Sequence, residues 1–337
     1  MSKGVITIKE IAKQLEISPS TVSRALSDHP RIGLRTKMQV KKLAEELGYE
    51  PNKQAIAFKQ KKTFTLGLIL PGLQEDFFSD VITGIEDVAL QEGYSVLIGQ
   101  SHNDTEQEER IFKTMLDHRV DGMLITIGKH TSAVKRLQEI NKQNLPIVFF
   151  DRIPQESNDI NAVWCNIYHT TMEAIDYLVS KGHQRIAYLR GPASLNIKNE
   201  RERAYQDGIR KHALPGNYVL STDLSSNLTC EAMKQFLSLA EPPTAVIAFN
   251  DNVALDAIRY CKEQGLETEK DISFVSYGNW PITDYMESRP LISIEQFPYE
   301  QGSKAAELLF DIMKQKGKID PRNIMLDSEM ILHKSKQ

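Results

Sequence analysis

Apolar positions in the first fifty residues recur at helical spacing in three short bursts. Ile8, Ile11, Ala12 and Leu15 form the first, with Thr7 placed to cap it and Glu10 three residues on as its capping-box partner. Val22, Ala25 and Leu26 form the second, opened by Ser18 as cap and by Pro19 at the first helical position, where a missing N–H is harmless. Val40, Leu43, Ala44 and Leu47 form the third, which runs from about Thr36 and stops at Gly48. With a tight turn at Glu16 and Ile17 between the first two, these helices predict a helix-turn-helix module over residues 1–50.

From Thr63 the period changes. Runs such as FTLGLIL (64–70), YSVLIG (94–99), GMLITI (122–127) and PIVFF (146–150) read as buried strands separated by helical stretches. The series continues through AVWC (162–165), RIAYL (185–189), TAVIAF (244–249), ISFVSY (272–277) and LISIEQF (291–297), and ends in MLDSEMILHKS (325–335). Phe77, Phe78, Val81, Ile82, Ile85, Val88 and Ala89 share one helix face, broad enough to cover a parallel sheet. There are too many strands for one compact sheet. The pattern therefore predicts an α/β body of two similar lobes, with a ligand cleft where strand ends and helix N-termini converge. Between module and body, residues 51–62 offer a helix of only about two turns, too short to hold itself together without a partner.

Charge sharpens this division. The chain of 337 residues carries a net −4, but residues 1–62 hold 13 Lys or Arg against 6 Asp or Glu, a balance of +7, and the remainder has 28 against 39, or −11. A basic block on an acidic body points to a polyanion as the partner of the block alone. The hydroxyls of Ser18, Ser20 and Thr21 at a helix N-terminus suit phosphate oxygens, while Arg24 reaches further, into a groove. No stretch approaches the roughly 20 apolar residues of a membrane span, and MSKGVITIKE lacks an apolar signal core, so a cytoplasmic protein is expected. Cys165, Cys230 and Cys261 are far apart and fit neither a disulfide framework nor a zinc site.

ITIKEIAKQLEISPSTVSRAL, then LGYEPN, then TFTLGLILPG together resemble the lactose-repressor (LacI/GalR) family of bacterial transcription regulators, and the likeness covers almost the whole chain. The resemblance implies a helix-turn-helix module and hinge helix joined to a two-lobed, periplasmic-binding-protein-like effector domain of type I. Its DNA-reading and phosphate-contacting residues fall on Pro19, Ser20, Thr21, Ser23 and Arg24, with Thr7 and Ser18 on the backbone and Tyr49 and Asn52 near the phosphates. In the hinge, Phe58 takes the place of the family's minor-groove wedge and Ala55 faces the partner helix. Glu16 stands where the family usually has glycine, at a cost of about 1 kcal/mol if the left-handed turn is kept. Crossings between lobes are expected near 162, 292 and 325, giving lobe 1 as about 63–161 and 293–324 and lobe 2 as about 162–292 and 325–337.

For the cleft, Asp151 and Arg152 close an apolar strand, and a salt bridge at the lobe edge is the competing reading for Arg152. Arg201 falls on the family's effector-binding arginine, against a reading as one charge of a solvated face. Asn250 and Asp251 can each cap the helix after TAVIAF, and in the family the asparagine also holds the ligand. Phe77, Phe78, Trp164 and Gln296 complete the expected lining. The family's effector aspartate is missing from Tyr277-Gly278-Asn279-Trp280, leaving Asn279 as a neutral substitute.

The resemblance thus implies a repressor that binds a pseudo-palindromic operator as a homodimer, needs no cofactor or metal, and responds to a small molecule. A carbohydrate or its metabolite is the first reading of that molecule and a purine or nucleoside the second. Val81, Ile85 and Val88 are candidate contributors to a dimer face, and the short tail after Ser335 predicts a dimer rather than a tetramer. A dinucleotide enzyme would need GxGxxG after the first strand, which LGLILPG lacks, and neither GxxxxGK[ST] nor GxSxG occurs. A transporter's solute-binding protein would share the two lobes but not the basic module.

Overall fold

The computed structural model describes residues 6–49, 62–73, 76–128, 145–153, 160–192, 200–315 and 320–333. The chain divides after Thr63 into two compact units.

The first unit is three helices, α1 (Ile8–Gln14), α2 (Pro19–Leu26) and α3 (Leu34–Glu46), around a core of Ile11, Ala12, Val22, Ala25, Val40 and Ala44. Thr7 and Glu10 close the N-terminus of α1, the Thr7 backbone N–H and hydroxyl both donating to Glu10 Oε2, at 2.6 and 3.0 Å. Glu16 keeps the left-handed turn, with φ 52°, so the expected strain is present. Gly48 is left-handed too, at φ 63°, and α3 ends there with Tyr49 N–H donating to Ala44 O at 2.8 Å. The third helix begins two residues earlier than its apolar spacing suggests, capped by Gly33.

The second unit holds two six-stranded sheets. In chain order its elements are β1 (Thr65–Leu70), α4 (Asp76–Gln91), β2 (Ser95–Gln100), α5 (Thr105–Asp117), β3 (Gly122–Ile125), β4 (Ile147–Phe150) and β5 (Ala162–Asn166). There follow α6 (Tyr168–Ser180), β6 (Ile186–Arg190), α7 (Glu200–Lys211), β7 (Val219–Ser221), α8 (Ser226–Leu237), β8 (Ala245–Ala248), α9 (Asp251–Glu263) and β9 (Ser273–Gly278). Last come β10 (Ile292–Glu295), α10 (Pro298–Lys314), β11 (Asn323–Asp327) and β12 (Glu329–Leu332). The sheet orders are β11-β5-β4-β3-β1-β2 and β12-β10-β9-β8-β6-β7. Every pairing is parallel except that of β12 with β10. In each sheet the order reverses beside the first strand, so each lobe offers a switch-point crevice at its carboxyl ends.

The chain changes lobe later than expected at all three crossings. All of 162–166 pairs with β11, and its first two residues with β4, in the first sheet; the whole of 292–295 pairs with β9 in the second, and 325–327 lies in β11 of the first. A strand stays in its sheet as far as its ladder bonds run, so the crossings fall where pairing ends: at Asn166–Tyr168, Gln296–Phe297 and Ser328. The run MLDSEMILHKS is accordingly two strands in different sheets, split at Ser328, whose hydroxyl donates to Asn166 O at 2.7 Å and lies 2.6 Å from Thr170 Oγ1. Two crossings are thereby tied together. β7 escaped the sequence pattern because its three residues are not fully buried.

Helices α4 and α10 cover one face of the first sheet in a shared apolar core. They approach closely at Gly84 and Gly302, where a Cβ would come within 2.2 Å of the carbonyls of Tyr299 and Val81. Val81 and Ile85, considered above for a dimer face, are fully buried in this core; their apolar surface is spent within the lobe. No described helix is long and apolar enough to cross a membrane.

Candidate DNA-facing helix and effector cleft

On α2, Val22 and Ala25 turn into the module core, leaving Pro19, Ser20 and Arg24 exposed on the other side with Thr21 and Ser23 half-buried. Ser18 Oγ accepts from Thr21 N–H at 3.1 Å and lies 2.7 and 2.9 Å from the hydroxyls of Ser20 and Thr21. The cap is formed as its sequence requires, and its hydroxyls cluster at the helix N-terminus, the end that attracts anions. Thr7 is exposed, and Tyr49 is half-buried against the module core. Asn52, Ala55 and Phe58 lie outside the described residues.

In the body, a cleft of about 1070 Å³, open to solvent, gathers carboxyl ends and helix starts from both lobes. Lobe 1 contributes Phe77 and Phe78 from the first turn of α4, Asp151 and Arg152 from the end of β4, and Trp164 from β5. Lobe 2 contributes Arg201 from α7, Asn250 at the start of α9, and Gln296 at a crossing. Eight of the nine cleft positions named from sequence thus line one cavity.

Asn279 is the exception. Its φ of 65° turns the amide away, and Nδ2 donates to Glu295 Oε2 at 2.9 Å. The sequence reading also passed over lining residues whose only signal was a place at a strand's carboxyl end: Tyr188, Phe249, Tyr277 and, beside Asn279, Trp280.

Arg201 is the best-framed group in the cleft. Its guanidinium lies 4.6 Å from the ring centroids of both Phe249 and Tyr277, and Nη2 donates to Gln296 Oε1 at 3.1 Å. The Nε–H is buried with no acceptor among the described residues. Arg152 is differently placed: only 6% exposed, it lies 3.8 Å from Asp151 Oδ2, donates to Asn103 Oδ1 at 3.0 Å and stacks 5.8 Å from the Phe78 ring. The salt-bridge reading of Arg152 describes these contacts. Asp151 itself is left-handed, with φ 55°, at the end of its strand.

Asn250 caps α9, its Oδ1 accepting from Val253 N–H at 3.0 Å. Behind it the Asp251 carboxylate is fully buried, accepting from the Ser276 hydroxyl and, at 2.9 Å, from Trp280 N–H. Burial pushes this carboxyl up to about 6, against its hydrogen bonds to Ser276 and to the backbone of Trp280 and Asn279, which favour the charged form. Burial likewise lifts the Tyr277 phenol to about 12, and its hydroxyl pairs with Thr171 Oγ1 at 2.9 Å. Thr171 in turn donates to Ile167 O at 2.7 Å, on the first crossing. Among the described residues no group of His, Cys, Asp or Glu is placed to hold a metal ion.

The chain thus joins a basic helix-turn-helix unit to two switch-point lobes around one cleft, and comparison with known proteins decides the family. Residues 63–334 match the family described as periplasmic binding proteins and sugar binding domain of LacI family, and residues 7–52 match bacterial regulatory proteins, lacI family. The chain belongs to the LacI family. This LacI-family protein is a DNA-binding transcriptional regulator of the class its relatives represent. It is 30% identical over 331 residues to the HTH-type transcriptional repressor CytR of Escherichia coli K12, covering 98% of this chain and 96% of that protein. It is 28% identical to catabolite control protein A of Priestia megaterium, over 92% of this chain and 93% of that one. Its fold matches that of the lac repressor dimer bound to operator and the anti-inducer ONPF, with a TM-score of 0.83 and 25% identity over 97% of each chain.

Proposed function

We propose that this regulator binds a pseudo-palindromic operator as a homodimer and that a small ring-bearing molecule in the interlobe cleft sets its operator affinity. The observation that carries the effector half is Arg201: a guanidinium framed by two rings, held by Gln296 at a crossing, with one buried N–H left without an acceptor. A buried donor without a partner is costly, and a ligand acceptor removes that cost. A molecule touching Asp151 on one lobe and Arg201 or Asn250 on the other favours one relative orientation of the lobes, and so shifts a population between DNA-binding and non-binding forms. The three crossings are where such a change of orientation turns.

A carbohydrate or sugar metabolite is the first reading of the effector, supported by the hydrogen-bonding set of Asp151, Arg201, Asn250 and Gln296 on aromatic walls. A nucleoside is the second, favoured by the number of aromatic side chains in the lining and by the lack of a carboxylate at Gly278 and Asn279.

For DNA, Pro19, Ser20, Thr21, Ser23 and Arg24 read the operator, with Thr7, Ser18 and Tyr49 on its backbone. Asn52 joins them there, Ala55 packs against the partner's hinge helix, and Phe58 is the wedge. Fluorescence anisotropy with operator and random duplexes tests both halves. Arg24→Ala lowers discrimination between the two duplexes by about 1–3 kcal/mol. Arg201→Ala keeps operator binding but removes its response to a sugar or nucleoside that shifts the wild type. Undiminished discrimination in the first variant, or a normal response in the second, overturns the corresponding half.

A further inference from the structure

We infer that Trp280 is an effector-contacting residue, selecting ligands that present a flat ring face with a hydrogen-bond acceptor at its edge. The inference rests on the effector reading of the cleft and adds a residue that the sequence reading did not name among the cleft positions.

The chain is built to hold this side chain still. Gly278 and Asn279 take positive φ in succession, 147° and 65°, so the backbone reverses and the two neighbouring side chains part: Asn279 goes to Glu295, and Trp280 lines the cleft. A Cβ at Gly278 would lie 2.4 Å from Asp251 Oδ2 and 3.2 Å from the indole Nε1, so this path needs glycine. The Trp280 backbone is then fixed from both sides. Its N–H donates to Asp251 Oδ2 at 2.9 Å, and its carbonyl accepts from the Thr283 hydroxyl at 2.7 Å and from Thr283 N–H at 3.0 Å. Thr283 is buried, and Trp280 caps the short 3₁₀ turn Pro281–Tyr285.

Five of the other large rings of the lining are already engaged. Arg201 lies over Phe249 and Tyr277, Tyr188 stacks on Tyr205 with centroids 5.2 Å apart, and Phe78 has Phe77 edge-on and Arg152 over it. No described residue stacks on Trp280 or accepts from its indole N–H, and the residue is 8% exposed while lining the cleft. A rigid aromatic with an unspent donor at its edge complements a ring face bearing an acceptor. A sugar ring with its hydroxyl or ring oxygens offers that chemistry, and so does a nucleobase with its carbonyl or ring nitrogens.

Isothermal titration of the full-length protein with D-ribose, D-glucose, uridine and adenosine separates these sources and tests the residue. A nucleoside that binds where both sugars fail assigns the ring to the base; a sugar that binds as tightly as the nucleosides assigns it to the sugar. For whichever probe binds the wild type, Trp280→Phe, which keeps the ring and loses the N–H, weakens binding about tenfold, and Trp280→Ala about a hundredfold. Far-UV circular dichroism checks that each variant is folded, and Trp280→Phe carries the test if the alanine variant is not. Wild-type affinity in Trp280→Phe and Trp280→Ala, alongside lost binding in Arg201→Ala, overturns the role of Trp280 and leaves the cleft reading standing. If none of the four probes binds the wild type, the ring-bearing effector reading falls and this inference falls with it.

Discussion

In the N-terminal module the proposed DNA-facing residues Ser18, Pro19, Ser20, Thr21, Ser23 and Arg24 occupy one helix and its cap, whose buried side is supplied by Val22 and Ala25. In the body, Asp151, Trp164, Arg201, Asn250, Trp280 and Gln296 reach one cleft from six separate segments. The module's working groups are solvent-facing and its stability lies elsewhere, so the two properties separate by helix face. The body's working groups are also its construction: Asn250 caps a helix, Gln296 is a crossing, and the Tyr277 ring that frames Arg201 is bonded through Thr171 to another crossing. Substitutions in the module should separate binding from folding. In the body they should disturb both.

The largest test of that contrast is Ile11→Ala. Ile11 is fully buried in a core of six buried residues among those described, and its truncation should cost about 2–4 kcal/mol, most of what so small a unit can muster. Scanning calorimetry should then show the module's transition lost or far lower, with the body's transition in place. A common downward shift of both transitions would break the picture of two independently stabilised units.

Asp251 gives the next effect, on the body. The folded chain holds this carboxyl at about 6, above the ordinary carboxylate value near 4, so between those pH values the folded state keeps a proton that the unfolded state has released. Stability contributed at this site therefore falls as pH rises from about 4 to 6 and is level above, by at most about 3 kcal/mol. Asp251→Asn should remove that slope. Urea midpoints of wild type and variant from pH 4 to 7.5 should differ by an amount that changes across the window; a constant difference would show that Asp251 does not titrate there. The same variant should weaken effector binding, because the carboxylate also fixes Trp280 N–H.

The smallest effect returns to the module. Glu16→Gly relieves a left-handed non-glycine turn and should stabilise the module by up to about 1 kcal/mol, part of the gain being offset by the greater freedom of glycine in the unfolded chain. A raised module midpoint with unchanged operator discrimination would sharpen the separation of folding from binding; altered discrimination would show that the turn also aims α2.

Much of this molecule was written in local sequence. Thr7 with Glu10, Ser18 with Pro19, and Gly48 set three helix ends through contacts within a few residues, and most of the apolar runs of both sheets marked a strand. Asp151, Trp164, Arg201 and Gln296 were legible as candidates because strand ends and the family motif mark them. What local sequence could not carry were the decisions made by partners far along the chain. The pairing of β5 with β11 across some 160 positions and of β10 with β9 fixes where the chain changes lobe, so each crossing came later than its apolar run suggested. Likewise Asn279 and Trp280 are neighbours in a four-residue turn, and only Asp251, Thr283 and Glu295, drawn from other elements, determine which of the two faces the cleft. Periodicity and caps act over one or two turns of backbone and are encoded where they act. Strand exchange between lobes and the aim of a cleft side chain depend on contacts that exist only once the sheets have formed.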